Sequence, residues 1–266
     1  MEHKRSTAPY LVILVLCAVT ACGSSAAADP VAAVAVSDAE GERVRLETAD
    51  ESFDAFFRAR QHGDPRGGLI LLHGQNGHAD GLDAIRPLRL GLSESGWDTL
   101  SLQLPSAYRN ADRARWLARS PQIIARLTSA IDWLKGRDIA TRAIVAQGAS
   151  GASALQWMVT QDTQGVRALV MISTPLSADD EIDGLAALRQ AKLPILDIYA
   201  ERDIAAVLDT APARRLAARD AKNTRFRQQA VAGATPGFRG LEAGLLADIR
   251  AWLSANTDTP GPNAKR

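Results

Sequence analysis

The chain has 266 residues, 46% of them hydrophobic, enough for one sizeable core such as a single α/β domain. Its 31 Lys and Arg side chains balance 30 Asp and Glu to a net charge of +1, with no basic block. That even spread excludes the electrostatic footprint of a nucleic-acid-binding protein.

At the N-terminus, Lys4 and Arg5 precede an apolar run, Tyr10 to Val19, that is too short to span a bilayer as a mature helix. A charged start followed by a short apolar stretch has the anatomy of a secretory signal. The run closes in Val19-Thr20-Ala21-Cys22, which resembles the bacterial lipobox. That resemblance implies a signal peptide over residues 1–21 and a diacylglycerol on the thiol of Cys22. An ordinary cleaved signal is the alternative. Residues 22–41, with Gly23-Ser24-Ser25 and Ala26-Ala27-Ala28-Asp29-Pro30, read as a flexible tether. Several acyl chains anchor far better than one, so the membrane is the expected partner, through Cys22. The expected place is the bacterial cell envelope, and Gly23 is compatible with the periplasmic face of the outer membrane. Both cysteines, Cys17 and Cys22, fall in this segment, so no disulfide is expected in the folded part.

From residue 42 the pattern alternates between short β-rich runs and longer helical ones. Residues 43–47 alternate polar and apolar, and 53–59 read as a second edge strand or a helix. Gly68 to His73 is continuously apolar, as in a strand buried on both faces of a parallel sheet. A helix is expected over 81–95 and a strand over 97–104. A long helical stretch follows over 113–135, interrupted near Pro121, with Ile123, Ile124, Leu127, Ile131 and Leu134 on one face. Strands at 143–146, 166–172, 194–200 and 225–231 then alternate with helices from Gly151 and over 184–192, 211–222 and 240–255. The remainder, 256–266, is rich in Pro, Gly and polar residues and is expected to be disordered. This succession predicts one α/β domain over 42–255, a mostly parallel sheet of about eight strands flanked by helices. Ligands in such sheets bind at the carboxyl ends of the strands.

One such end carries Gly148-Ala149-Ser150-Gly151-Ala152, between a buried strand and a helix. It matches a G-x-S-x-G nucleophile elbow except at its last position, where alanine is also small. In such an elbow the serine sits at a strained φ, and Ser150 is the expected nucleophile.

With Leu71-Leu72-His73-Gly74-Gln75-Asn76-Gly77 and Ala200-Glu201-Arg202-Asp203, this region resembles the α/β-hydrolase superfamily over roughly residues 42–255, in particular a bacterial subfamily of unassigned function. The resemblance implies oxyanion donors at the backbone N–H groups of Gln75 and Gly151. Gly74 and Gly77 also fit a turn that simply needs glycine. Asp203 falls at the position of the acid that would orient a histidine, and its alternative is a helix N-cap. The family's histidine falls after the eighth strand, where this chain reads Ala234-Thr235-Pro236-Gly237 and Pro236 takes its place. There are four histidines, none beyond residue 78. A serine hydroxyl is a weak nucleophile without an adjacent base. His73 and His78 are the nearby candidates for one, His73 packed under the oxyanion loop and His78 facing solvent. His73, His78, Asp80 and Asp83 match no metal-site spacing, and neither a metal nor a cofactor is expected.

Three functions stay open. The first is a lipid-anchored envelope protein with an incomplete triad, non-catalytic or weakly active, that binds an envelope component. The second is an active serine esterase or thioesterase with a non-standard base, acting on a small acyl or ester ligand. The third is a structural envelope scaffold. No protein partner is indicated.

Overall fold

A computed structural model describes residues 40–105, 112–163, 165–180 and 182–257. The strands are β1 (Glu42–Glu47), β2 (Ser52–Arg58), β3 (Gly67–Leu72), β4 (Trp97–Leu102), β5 (Arg142–Gln147), β6 (Val166–Ile172), β7 (Ile195–Ala200) and β8 (Phe226–Val231). The helices are α1 (Ile85–Ser93), α2 (Arg113–Leu117), α3 (Ser120–Lys135), α4 (Ser150–Thr160), α5 (Gly184–Gln190), α6 (Ala205–Leu208), α7 (Ala211–Asp220) and α8 (Glu242–Thr257). All eight strands form one sheet in the order β1-β2-β4-β3-β5-β6-β7-β8. β1 and β2 pair antiparallel, as do β2 and β4. From β4 onward every pair is parallel.

Hydrophobicity decides who sits where. The central strands β3 to β6 are largely buried on both faces, because helices cover both sides. One apolar layer packs side chains of α3, α4 and α5, including Ile123, Leu127, Leu155 and Leu188, against the sheet. The opposite layer packs α1 and α8 through Leu88, Leu92, Leu245, Ile249 and Leu253. Gly91 lets the two helices pack closely, since a Cβ at that position would come within 2.3 Å of Leu246.

Several boundaries differ from the sequence reading for local reasons. Residues 52–58 settle as a strand because Ala55, Phe56, Phe57 and Arg58 find partners on β4. α1 starts only at Ile85, after a turn closed by Gly81 N–H donating to the His78 carbonyl. The break expected near Pro121 falls just before it, which leaves the proline in the first turn of α3, where its missing N–H costs nothing. At the end of the expected tether, Glu40 is held rather than free. The Glu40 carboxylate bonds Arg86 and its carbonyl accepts from Arg89. Asn256 and Thr257, expected at the start of the tail, instead close α8 with side-chain bonds to the carbonyls of Trp252 and Leu253 at 2.9 and 2.7 Å. The expected signal peptide, Cys22, most of the expected tether and residues 258–266 lie outside the described residues. No helix among the described residues is long and apolar enough to cross a membrane.

Candidate functional site

β3 and β5 are neighbours, so the loop after β3 lies beside the turn into α4. β5 runs to Gln147, one residue beyond the sequence reading, and Gly148 follows at once with φ +60. Its N–H donates to the Ile172 carbonyl at 2.8 Å, so the sheet ladder reaches the very tip of the turn. Ala149 is already right-handed, with φ −64 and ψ −16, and caps the helix that Ser150 begins.

This geometry corrects the expectation that Ser150 sits at the strained turn. The left-handed residue between strand and helix is Gly148, and Ser150 lies two positions on, inside the first turn of α4. Ser150 is 0% exposed, and its hydroxyl donates to the backbone carbonyl of His73 at 2.6 Å. That bond ties the β3 loop to α4. No basic nitrogen is among the hydrogen-bond partners of Ser150 in the described residues.

The expected oxyanion donors are likewise placed otherwise. The N–H of Gly151 donates to the Gly148 carbonyl at 3.1 Å, inside the turn. Gly151 itself is required by packing: a Cβ there would lie 2.4 Å from Thr174 Oγ1 and 2.6 Å from Thr174 Cγ2. The residue after the turn tip is Ala149, and its N–H points to Gln75, whose side-chain Oε1 accepts at 3.4 Å. A Cβ on Gly148 would meet only the same Gln75 Oε1 and Gly74 Cα, each at 3.5 Å. There is room for a side chain at the tip, and the sequence supplies none.

His73 is buried, with both ring nitrogens occupied. Nδ1 donates to the Gly74 carbonyl at 2.8 Å, and Nε2 accepts the Leu104 N–H at 3.1 Å. Burial pushes the ring down to about 4, against a smaller raising effect of the Gly74 carbonyl. The imidazole is therefore neutral at pH 7, with its one lone pair already used. His78 does not face solvent as expected. It is half-buried, its ring centroid 6.0 Å from that of Phe56, and Nδ1 accepts the Asp80 N–H at 2.9 Å.

Asp203 sits in the turn after β7 with its carboxylate filled. Oδ2 accepts from the Ser173 hydroxyl and from Ala200 N–H at 3.0 Å, and Oδ1 from Ile204 N–H at 2.9 Å. It closes this turn rather than capping α6, whose cap residue is Ile204. Pro236 lies exposed in the loop between β8 and α8, which Phe238 pins into the core.

Gly148 was missed because the Gly-x-Ser pattern drew attention to the serine. The available signal was strand length. An elbow residue follows the last strand residue directly, and one more residue of β5 gives that place to Gly148.

The DUF3530 family, described as a protein of unknown function, matches residues 24–115 and 106–255. The chain belongs to the DUF3530 family. No curated protein matches it. Among solved structures, an esterase from Pyrococcus furiosus is similar over 83% of this chain and 95% of its own, at 14% identity and a TM-score of 0.67. A putative dienelactone hydrolase from Klebsiella pneumoniae covers 80% of this chain and 97% of its own, at 16% identity and TM-score 0.65. An acylaminoacyl peptidase from Pyrococcus horikoshii covers 85% of this chain and 43% of its own, at 12% identity and TM-score 0.65. These neighbours show that this DUF3530 chain has the α/β-hydrolase fold. At such identities they speak to the fold alone.

Proposed function

We propose that this DUF3530 chain is a lipid-anchored envelope protein whose hydrolase fold no longer performs acyl transfer and serves to bind an envelope component. The observation that carries the reading is the glycine at the turn tip. Gly148 has no side chain to attack a carbonyl, and the hydroxyl two residues on, that of Ser150, is buried and committed to the His73 carbonyl. Three further features support it. The Ala149 N–H is taken by Gln75, both nitrogens of His73 are in use, and Pro236 has no exchangeable proton. A nucleophile, a base and free oxyanion donors act as a unit in serine hydrolases, and loss of the triad removes about 10⁴- to 10⁶-fold in rate. The membrane part of the proposal rests on the Val19–Cys22 pattern.

The esterase neighbours and the retained Ser150 favour the alternative of an active ester hydrolase. One experiment separates them. A bacterium expressing the full chain is fractionated, and the fractions are treated with a fluorophosphonate probe. The chain is expected in the membrane fraction, to leave it on Cys22→Ser, and to carry no adduct. An adduct on Ser150 overturns the catalytic part, and membrane association that survives Cys22→Ser overturns the anchor.

A further inference from the structure

Far from Gly148 in the sheet order, at the β8 edge, the layer between sheet and helix holds a buried cluster of polar and charged side chains. Asp197 on β7 is paired in register with Gln228 on β8, and Tyr199 shares the Asp197 face. Arg214 of α7 reaches down onto this face. Its Nε donates to Asp197 Oδ2 at 2.8 Å, both side chains are fully buried, and its guanidinium lies 5.5 Å from the centre of the Tyr199 ring. Neither partner is saturated: Arg214 Nη2 and Asp197 Oδ1 are buried without a hydrogen bond. Gln228 joins this pair to the surface. Its Nε2 donates to Asp197 Oδ2 at 2.8 Å, and its Oε1 accepts from Arg215 Nε at 2.9 Å.

Above these residues is a cavity of about 390 Å³. Tyr199 and Gln228 form its floor, and the α7 face carrying Pro212, Arg215, Leu216 and Arg219 forms one wall. Arg215 and Arg219 are one helical turn apart, so their like charges repel unless something negative lies between them. No carboxylate is among the lining side chains. Among the described residues, the Arg215 side chain hydrogen-bonds through Nε alone, and the Arg219 side chain has no ion pair or hydrogen bond. Pro212 and Leu216, the latter 44% exposed, put apolar surface beside these cations. A cation alone at the end of α7 would be explained by the helix dipole, which favours Arg219 in the last turn. That leaves unexplained the second arginine, the neighbouring exposed leucine, the cavity between them and the buried, unsaturated pair beneath.

We infer that this cavity binds an amphiphilic anion, its phosphate or carboxylate head on the guanidinium groups of Arg215 and Arg219 and its short apolar body against Pro212 and Leu216. Guanidinium forks match both head groups in bidentate fashion, so the two heads share one chemistry. The Tyr199 hydroxyl, which makes no hydrogen bond among the described residues, is the neutral donor available on the floor. The site is independent of whether Gly148 marks a lost catalytic centre.

The test is calorimetric titration of the full chain with octyl phosphate, octanoate, inorganic phosphate and the uncharged octyl glucoside. One octyl phosphate or octanoate per chain is expected, at least about tenfold tighter than inorganic phosphate, with no saturable binding of octyl glucoside. The double variant Arg215→Gln, Arg219→Gln, both exposed positions, should stay folded with a melting temperature within a few degrees of the wild type, since only the exposed Arg215–Gln228 bond is lost, and should weaken octyl phosphate at least about tenfold. Leu216→Ser should weaken octyl phosphate and leave inorganic phosphate unchanged. Equal affinity for inorganic and octyl phosphate overturns the amphiphile. Absence of saturation, or binding indifferent to the arginine pair, overturns the site.

Discussion

Asp197→Ala is expected to lower the unfolding free energy by about 3–5 kcal/mol, read as a lower urea midpoint at an unchanged slope. The carboxylate and Arg214 are both fully buried, and they meet at 2.8 Å. Taking the carboxylate away leaves a guanidinium in the interior with the Val207 carbonyl and Thr210 hydroxyl, at 2.9 and 2.7 Å, as its remaining partners. Neutral acceptors do not offset the desolvation of a full charge. The pair itself need not stabilise the fold, since two apolar side chains of similar volume often do as well. Asp197→Ala combined with Arg214→Met is therefore expected to recover most of the loss. A single-variant cost under about 1 kcal/mol would mean that water reaches Arg214.

Acidification is expected to remove about 3 kcal/mol through His73 alone. Its folded value of about 4 lies below the ordinary 6.5, because burial disfavours the cation. Below pH 6.5 the unfolded chain takes up a proton that the folded chain refuses, so stability falls as pH drops. The contribution is complete above pH 6.5, declines through the window down to about 4, and changes no further below it. Urea titrations of the wild type and of His73→Gln at pH 7 and pH 4 measure this. The variant starts less stable, having lost the fit between Gly74 and Leu104, but its loss between the two pH values should be smaller by about 3 kcal/mol. Equal pH dependence would show that the imidazole is solvated and free to take a proton.

Most of the fold was legible because burial on two faces writes itself into strands as unbroken apolar runs. β3 and, after Arg167, β6 are cases, and the helices between them repeat at 3.6 residues. Where two physical demands compete, legibility ended. Residues 52–58 carry Phe53, Phe56 and Phe57 at a spacing that suits a helix as well as a strand, and only pairing with β4 decides. α6 has four residues, too few to show a period. The β8 edge reads as an ordinary half-polar strand, and nothing local announces that Gln228 bridges a buried ion pair to a surface arginine.

The site was legible in place but not in detail. The loop after β3, the turn after β5 and the turn after β7 do gather at the carboxyl ends of the strands, as the alternation of elements required. What depends on single-residue register, namely which residue holds the left-handed turn and where each hydroxyl points, did not follow from residue types. Ser150 has the right chemistry and the wrong position. His73 has the right neighbourhood and no free lone pair.

Steady-state hydrolysis of p-nitrophenyl butyrate by the purified full chain, beside Ser150→Ala, tests whether this fold has kept acyl transfer. With glycine at the turn tip, both proteins are expected to release p-nitrophenol at the buffer rate. Saturable wild-type turnover that disappears in Ser150→Ala would contradict the account, because it would mean that this hydroxyl leaves the His73 carbonyl and finds a base.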